Sequence, residues 1–155
     1  MDVRTAAGRI TQQQEAQAIE IFERSTGYTF VHTPPDRPAY ADGFVLKDGV
    51  IQAVVEIKCR NLTRSSLESF GGEALLSLDK VLRCREVAYS LRVPFSLWMF
   101  LVPDKELLVQ RVTNHDGSIA SQFRAKFETT QATVNGGKMD RNTAYLSLDG
   151  VKVFR

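Results

Sequence analysis

The run Phe95-Ser96-Leu97-Trp98-Met99-Phe100-Leu101-Val102 is almost uninterruptedly apolar and is bounded by Pro94 and Pro103. It is far shorter than the roughly 18 uncharged residues a membrane-crossing helix needs. Its length and β-rich composition instead predict a strand buried on both faces. Such a strand lies in parallel pairing or at the centre of a sheet, with covering layers on either side. The rest of the chain must therefore supply sheet neighbours and covering helices.

It contains candidates for both. Thr11 with Gln14 three residues later has the form of a capping box, and Gly27 can take the left-handed conformation that closes a helix. A helix over residues 11–27 would place Glu15, Ala18, Ile19 and Phe22 on one face, which makes Glu15 its core-facing carboxylate. Residues 28–32 alternate as a strand. Two further strand-like runs, 43–47 and 50–58, flank Asp48-Gly49, a strong hairpin signal. Residues 73–92 contain no Gly or Pro and predict one long helix. Beyond Pro103, residues 107–113, 127–134 and 142–148 read as strands, with Asn135-Gly136-Gly137 as a turn. Helix, strand, hairpin, helix and buried strand together predict an α/β fold: a mixed central β-sheet flanked by helices.

The chain has 155 residues, 43% hydrophobic and 25% charged, which suits one domain with an adequate core. Two cysteines, Cys59 and Cys84, supply neither a disulfide framework nor a zinc quartet and are expected as small core residues. Met1-Asp2-Val3-Arg4 lacks the pattern of a signal peptide, so the expectation is a reduced, cytoplasmic protein with no membrane segment. The net charge of +2 is uninformative, but its distribution is uneven. Residues 1–57 carry five basic and eight acidic groups, and residues 58–92 carry seven basic and four acidic. An acidic segment followed by a basic one fits a metal site beside a phosphate-binding surface, and also fits ordinary solvated helices.

The chemistry concentrates in residues 41–58. Glu56 interrupts an apolar run, and Glu56 and Lys58, two residues apart on a strand, project to the same side. An interior carboxylate is costly unless it is paired or bound to a metal. Whether Asp42 joins that face depends on register. A two-residue Asp48-Gly49 loop pairs residue 42 with 55 and turns Asp42 away. A three-residue Lys47-Asp48-Gly49 loop, with Gly49 in the bulge position, pairs 42 with 54 and aligns Asp42, Val54, Glu56 and Lys58. Two converging carboxylates with open positions suit Mg²⁺, which takes oxygen ligands and retains water. A neighbouring Lys58 can orient the attacking water and stabilise developing negative charge, and Glu15 can add a ligand directly or through water.

Asp42, then Glu56-Ile57-Lys58 on the next strand of a hairpin, preceded by a core-facing Glu15, resembles the PD-(D/E)XK nuclease superfamily. The spacing is similar to that of archaeal Holliday-junction resolvases and small phage nucleases. The resemblance spans about residues 11–103, leaving a strand-rich extension over 104–155 within a single domain. It implies a restriction-endonuclease-like core and Mg²⁺-dependent hydrolysis of DNA phosphodiesters, with Mn²⁺ as a substitute. Asp42 and Glu56 would bind the metal, aided by the Ile57 carbonyl and Glu15, with Lys58 as the catalytic lysine. Alternatives are a structure-selective resolvase acting as a homodimer and a non-catalytic DNA-binding module. The residue before Asp42 is alanine, whereas a literal Pro35-Asp36 pair lies upstream in the proline-rich loop; Asp42 is preferred because a hairpin fixes its direction.

Lys80, Arg60 and Arg64 are candidate DNA-phosphate contacts. For Lys80, expected on the line Leu76, Cys84 and Val87, the competing reading is a packed stem with a solvated head. His32 and His115 are expected as loop or edge residues and Trp98 as core. Lys138 and Arg141, at the last turn, are read as ordinary turn residues ahead of DNA contacts.

Overall fold

The computed structural model describes residues 5–34, 39–130 and 139–155. In chain order the elements are α1 (Ala6–Thr26), β1 (Thr29–His32), β2 (Gly43–Lys47), β3 (Val50–Arg60), α2 (Arg64–Ser69), β4 (Glu73–Ser77), α3 (Leu78–Ser90), β5 (Phe95–Leu101), β6 (Glu106–Thr113), β7 (Phe123–Thr130), β8 (Met139–Ser147) and β9 (Lys152–Phe154). They build a mixed α/β structure.

The apolar run is the central strand. All seven residues of β5 are buried, and β5 lies between β3, which it pairs in parallel, and β6, which it pairs antiparallel. The whole sheet has the order β1-β2-β3-β5-β6-β9. Because side chains alternate along a strand, β5 feeds two cores. Trp98 and Phe100 join Ala18, Ile19 and Phe22 of α1 on one face, where the Trp98 ring lies 4.3 Å from that of Phe22. Phe95, Leu97, Met99 and Leu101 pack on the other face with Val81, Cys84 and Ala88 of α3. Ala74, Leu76, Ala144 and Leu146 from a second sheet, ordered β4-β8-β7, complete that layer.

Several elements differ from the sequence expectation, and α2 and β9 have no counterpart in it. Helix α1 starts earlier, because Thr5 caps it by accepting a hydrogen bond from Gly8 N (3.0 Å) and Ala6-Ala7 favour helix. Thr11 then lies inside the helix and donates to the Ala7 carbonyl. Gly27 ends α1 in the left-handed region as expected, at φ 74°. Residues 73–92 are not one helix. The alternation of buried Ala74 and Leu76 with exposed Leu75 docks β4 against β8, and the Ser77 hydroxyl then caps α3 by accepting from Lys80 N. Strand β7 begins four residues ahead of its predicted start, since Phe123 reaches the core beside Leu146. Finally β8 begins at Met139. The Asn135-Gly136-Gly137 turn, Lys138 and the Pro35-Asp36 pair lie outside the described residues. Among those described, no helix is long and apolar enough to cross a membrane.

Candidate active site

The β2–β3 hairpin decides where Asp42 points. Asp48 (φ 52°) and Gly49 (φ 76°) form a two-residue turn in the left-handed region, with Lys47 opposite Val50. The expected three-residue loop with a bulge at Gly49 is therefore not formed. The extra residue is Gln52: Leu46 pairs with Ile51 but Val45 pairs with Ala53. One bulge anywhere between turn and site reverses facing once, so the predicted outcome survives by another route. Gly43 lies opposite Val55, and Asp42, one residue further, comes opposite Glu56 and donates its N–H to the Val55 carbonyl (3.0 Å). Gly43 is required here, since a Cβ would collide with the Phe30 ring and the Val31 carbonyl.

Strand β3 continues to Arg60, whereas its pairing with β2 ends at Gly43–Val55. The resulting notch at the sheet end is open to groups from both faces. Glu15, Gly8 and Thr11 of α1 enter from one side and Lys80 of α3 from the other. With His32, Asp42, residues 56–60 and neighbours they line a cleft of about 470 Å³.

Its interactions are those of an acid cluster held by two ammonium groups. Asp42 Oδ2 accepts from Ile57 N at 2.7 Å. Because N–H and C=O of one strand residue point the same way, the Ile57 carbonyl is directed to that side too. Glu56 is 2% exposed, with Lys58 Nζ 3.2 Å from Oε1 and Lys80 Nζ 3.2 Å from Oε2. Each carboxylate oxygen of Glu56 thus faces one ammonium group.

Burial, reinforced by the Asp42 charge and opposed by Lys58 and Lys80, pushes the Glu56 carboxyl from 4.5 up to about 7. Burial and Asp42 likewise raise Glu15 to about 7, with Lys58 opposing. Burial works against the Lys80 ammonium, but the Glu56 carboxylate outweighs it, and its pKa is raised. Cys59, expected in the core, is instead half-buried and lines the cleft, while Cys84 is buried; desolvation, with Glu15 near Cys59 and Glu56 near Cys84, pushes both thiols up to about 12. Neither is a thiolate nucleophile at neutral pH.

The residues singled out in the sequence separate into two groups. Glu15, Asp42, Glu56, Ile57, Lys58, Arg60 and Lys80 all line the cleft. Arg60 sits at its rim, its guanidinium donating to the Cys59 carbonyl. Arg64 does not line it. Instead Arg64 pairs with Glu68 (3.6 Å) and with buried Glu106 (3.7 Å) at the start of α2. Leu76 does not share a helix with Lys80, because it belongs to β4. His32, expected as a loop or edge residue, is the last residue of β1 and also lines the cleft. Its alternation with Phe30 in residues 28–32 was the available signal. Trp98 and Cys84 are core, as expected.

The groups that could hold a hard divalent cation are the carboxylates of Asp42 and buried Glu56 and the Ile57 carbonyl. Among the described residues, no three acid, imidazole or thiol groups are gathered closely enough to cage an ion alone. Such a site would therefore rely on water for much of its coordination, as Mg²⁺ does. No protein-family model matches the chain, and no curated protein sequence matches it.

Proposed function

We propose that this chain is a metal-dependent nuclease that hydrolyses DNA phosphodiester bonds. The supporting observation is that Asp42, Glu56, Lys58, Glu15 and Lys80 line one open cleft, with Asp42 opposite Glu56 in the hairpin register. Asp42 and Glu56, helped by the Ile57 carbonyl and by Glu15 through water, would hold Mg²⁺ or Mn²⁺. The bound ion supplies Lewis-acid polarisation of the phosphate and lowers the pKa of water. The other roles belong to side chains. Lys58 orients the attacking water and offsets negative charge building on the phosphate oxygens. Lys80 neutralises Glu56 from the far side and keeps its carboxylate directed into the cleft. Arg60 at the rim contacts the DNA backbone. On this reading α1, β1–β3, α3 and β5 constitute a restriction-endonuclease-like core.

Incubating the protein with plasmid, linear and branched DNA plus Mg²⁺ or Mn²⁺ tests the proposal. Cleavage is expected with wild type and is lost in Glu56→Ala and in Lys58→Ala. Cleavage that survives in both variants refutes it. Salt-dependent DNA binding with no divalent-ion requirement and no product identifies a pure binding module instead.

A further inference from the structure

A second hollow adjoins the cleft. It has a volume of about 290 Å³ and lies between the end of α2, β4 and β8, and Arg60 lines both depressions. Its walls are unlike those of the acidic site. Phe70, the residue that ends α2 before Gly71-Gly72, is 80% exposed, and Leu75 beside it is 45% exposed. Across the hollow, the Arg124 guanidinium stacks 4.1 Å from the Tyr145 ring centroid, and Glu73 anchors it at 3.1 Å. Arg124 lies opposite Tyr145, and Tyr145 lies opposite Leu75, in the ladder β7-β8-β4.

An exposed phenyl ring is unfavourable in water and contributes little to this core. An exposed phenyl ring and a guanidinium–phenol pair lining one hollow make a surface on which an unpaired base can lie, because every base has a π-face and arginine planes stack as rings do. Bases within an intact duplex are already stacked on one another and offer no free face. Arg124, held by Glu73, offers its plane, whereas Arg60 is the cationic group that matches the phosphates linking such bases and makes the track continuous with the acidic cleft.

Resting on the nuclease reading above, we infer that this hollow is a base-stacking subsite for unpaired DNA next to the scissile phosphate. The substrate class is then DNA with a single-stranded segment, such as an overhang, flap or gap, in preference to blunt duplex.

The experiment measures binding of fluorescent single-stranded and blunt-duplex oligonucleotides in EDTA, and cleavage of blunt and overhanging DNA in Mg²⁺. The variants are wild type, Phe70→Ala and Phe70→Trp. At 80% exposure Phe70 supports little packing, and thermal melting verifies folding. The expected result is tighter single-strand binding by wild type and a roughly tenfold loss in Phe70→Ala, the equivalent of about 1.4 kcal/mol and one stacked base. Phe70→Trp retains affinity, and Phe70→Ala loses more cleavage of overhanging DNA than of blunt duplex. Equal affinity for both forms, or indifference of single-strand binding to Phe70→Ala, overturns the subsite even if wild type cleaves DNA. Phe70-dependent single-strand binding without any cleavage supports the subsite and refutes the nuclease reading.

Discussion

Replacing Glu56 by glutamine is expected to stabilise the metal-free protein at alkaline pH, although it removes two ion pairs. The Glu56 carboxyl is 2% exposed, opposite Asp42, and its pKa rises from 4.5 to about 7 on folding. Below pH 4.5 it is protonated in folded and unfolded chains alike and the substitution changes little. As pH climbs from 4.5 to about 7 the unfolded chain ionises first, so wild type loses stability that the glutamine variant keeps. Above pH 7 the difference levels off at roughly 3 kcal/mol, from 1.36 kcal/mol per pKa unit. The attraction of Lys58 and Lys80 is already contained in that value, since both lower the pKa. For a chain of this size the gain corresponds to roughly 6–12 °C in Tm. Melting in EDTA from pH 4.5 to 8.5 should show the gap opening across that interval. Adding Mg²⁺ should raise the Tm of wild type but not of the variant. A variant no more stable than wild type at pH 8, or an offset independent of pH, would refute the account of a buried, strained carboxylate.

Other expectations follow from the same geometry. On the proposed metal-dependent reading a cation displaces protons from Glu15 and Glu56, both raised to about 7, so the Mg²⁺ concentration for half-maximal cleavage should fall as pH goes from 6 to 8; a flat profile would contradict this. Gly43→Ala puts a Cβ against the Val31 carbonyl and the Phe30 ring, so denaturant unfolding should show a loss of about 1–3 kcal/mol, with cleavage impaired as Asp42 shifts. Ser77→Ala removes the cap of α3 and should cost about 1 kcal/mol, measured in the same way.

The central strand and the acidic residues were legible because burial and facing are written as residue alternation. Glu56 stands out within residues 53–57 for that reason, and the facing of Asp42 depends only on whether one bulge intervenes. The position of that bulge was not legible: the Asp48-Gly49 turn is equally compatible with two- and three-residue loops, and nothing in Gln52 itself marks it as the extra residue. The break at Ser77 was hidden differently. Glu73, Ala74, Leu75 and Leu76 are all tolerated in helices, and only β8, about seventy residues later, draws them into a strand. Lys80 stands out in the sequence as a charge on an apolar line, but its partner Glu56 becomes visible only once α3 packs across β3. The pairing of Arg64 with Glu106 was likewise set by a distant strand.

The parallel pairing of β3 with β5 has a consequence for when the cleft can exist. Parallel neighbours need a crossover, and here residues 61–94 make it, carrying Lys80 to Glu56 on the way. A chain emerging from the ribosome holds all three acids by residue 56. It cannot hold them beneath Lys80 until residues 95–101 have emerged and zipped against β3. Synthesis thus separates the appearance of the carboxylates from the appearance of the assembled cleft.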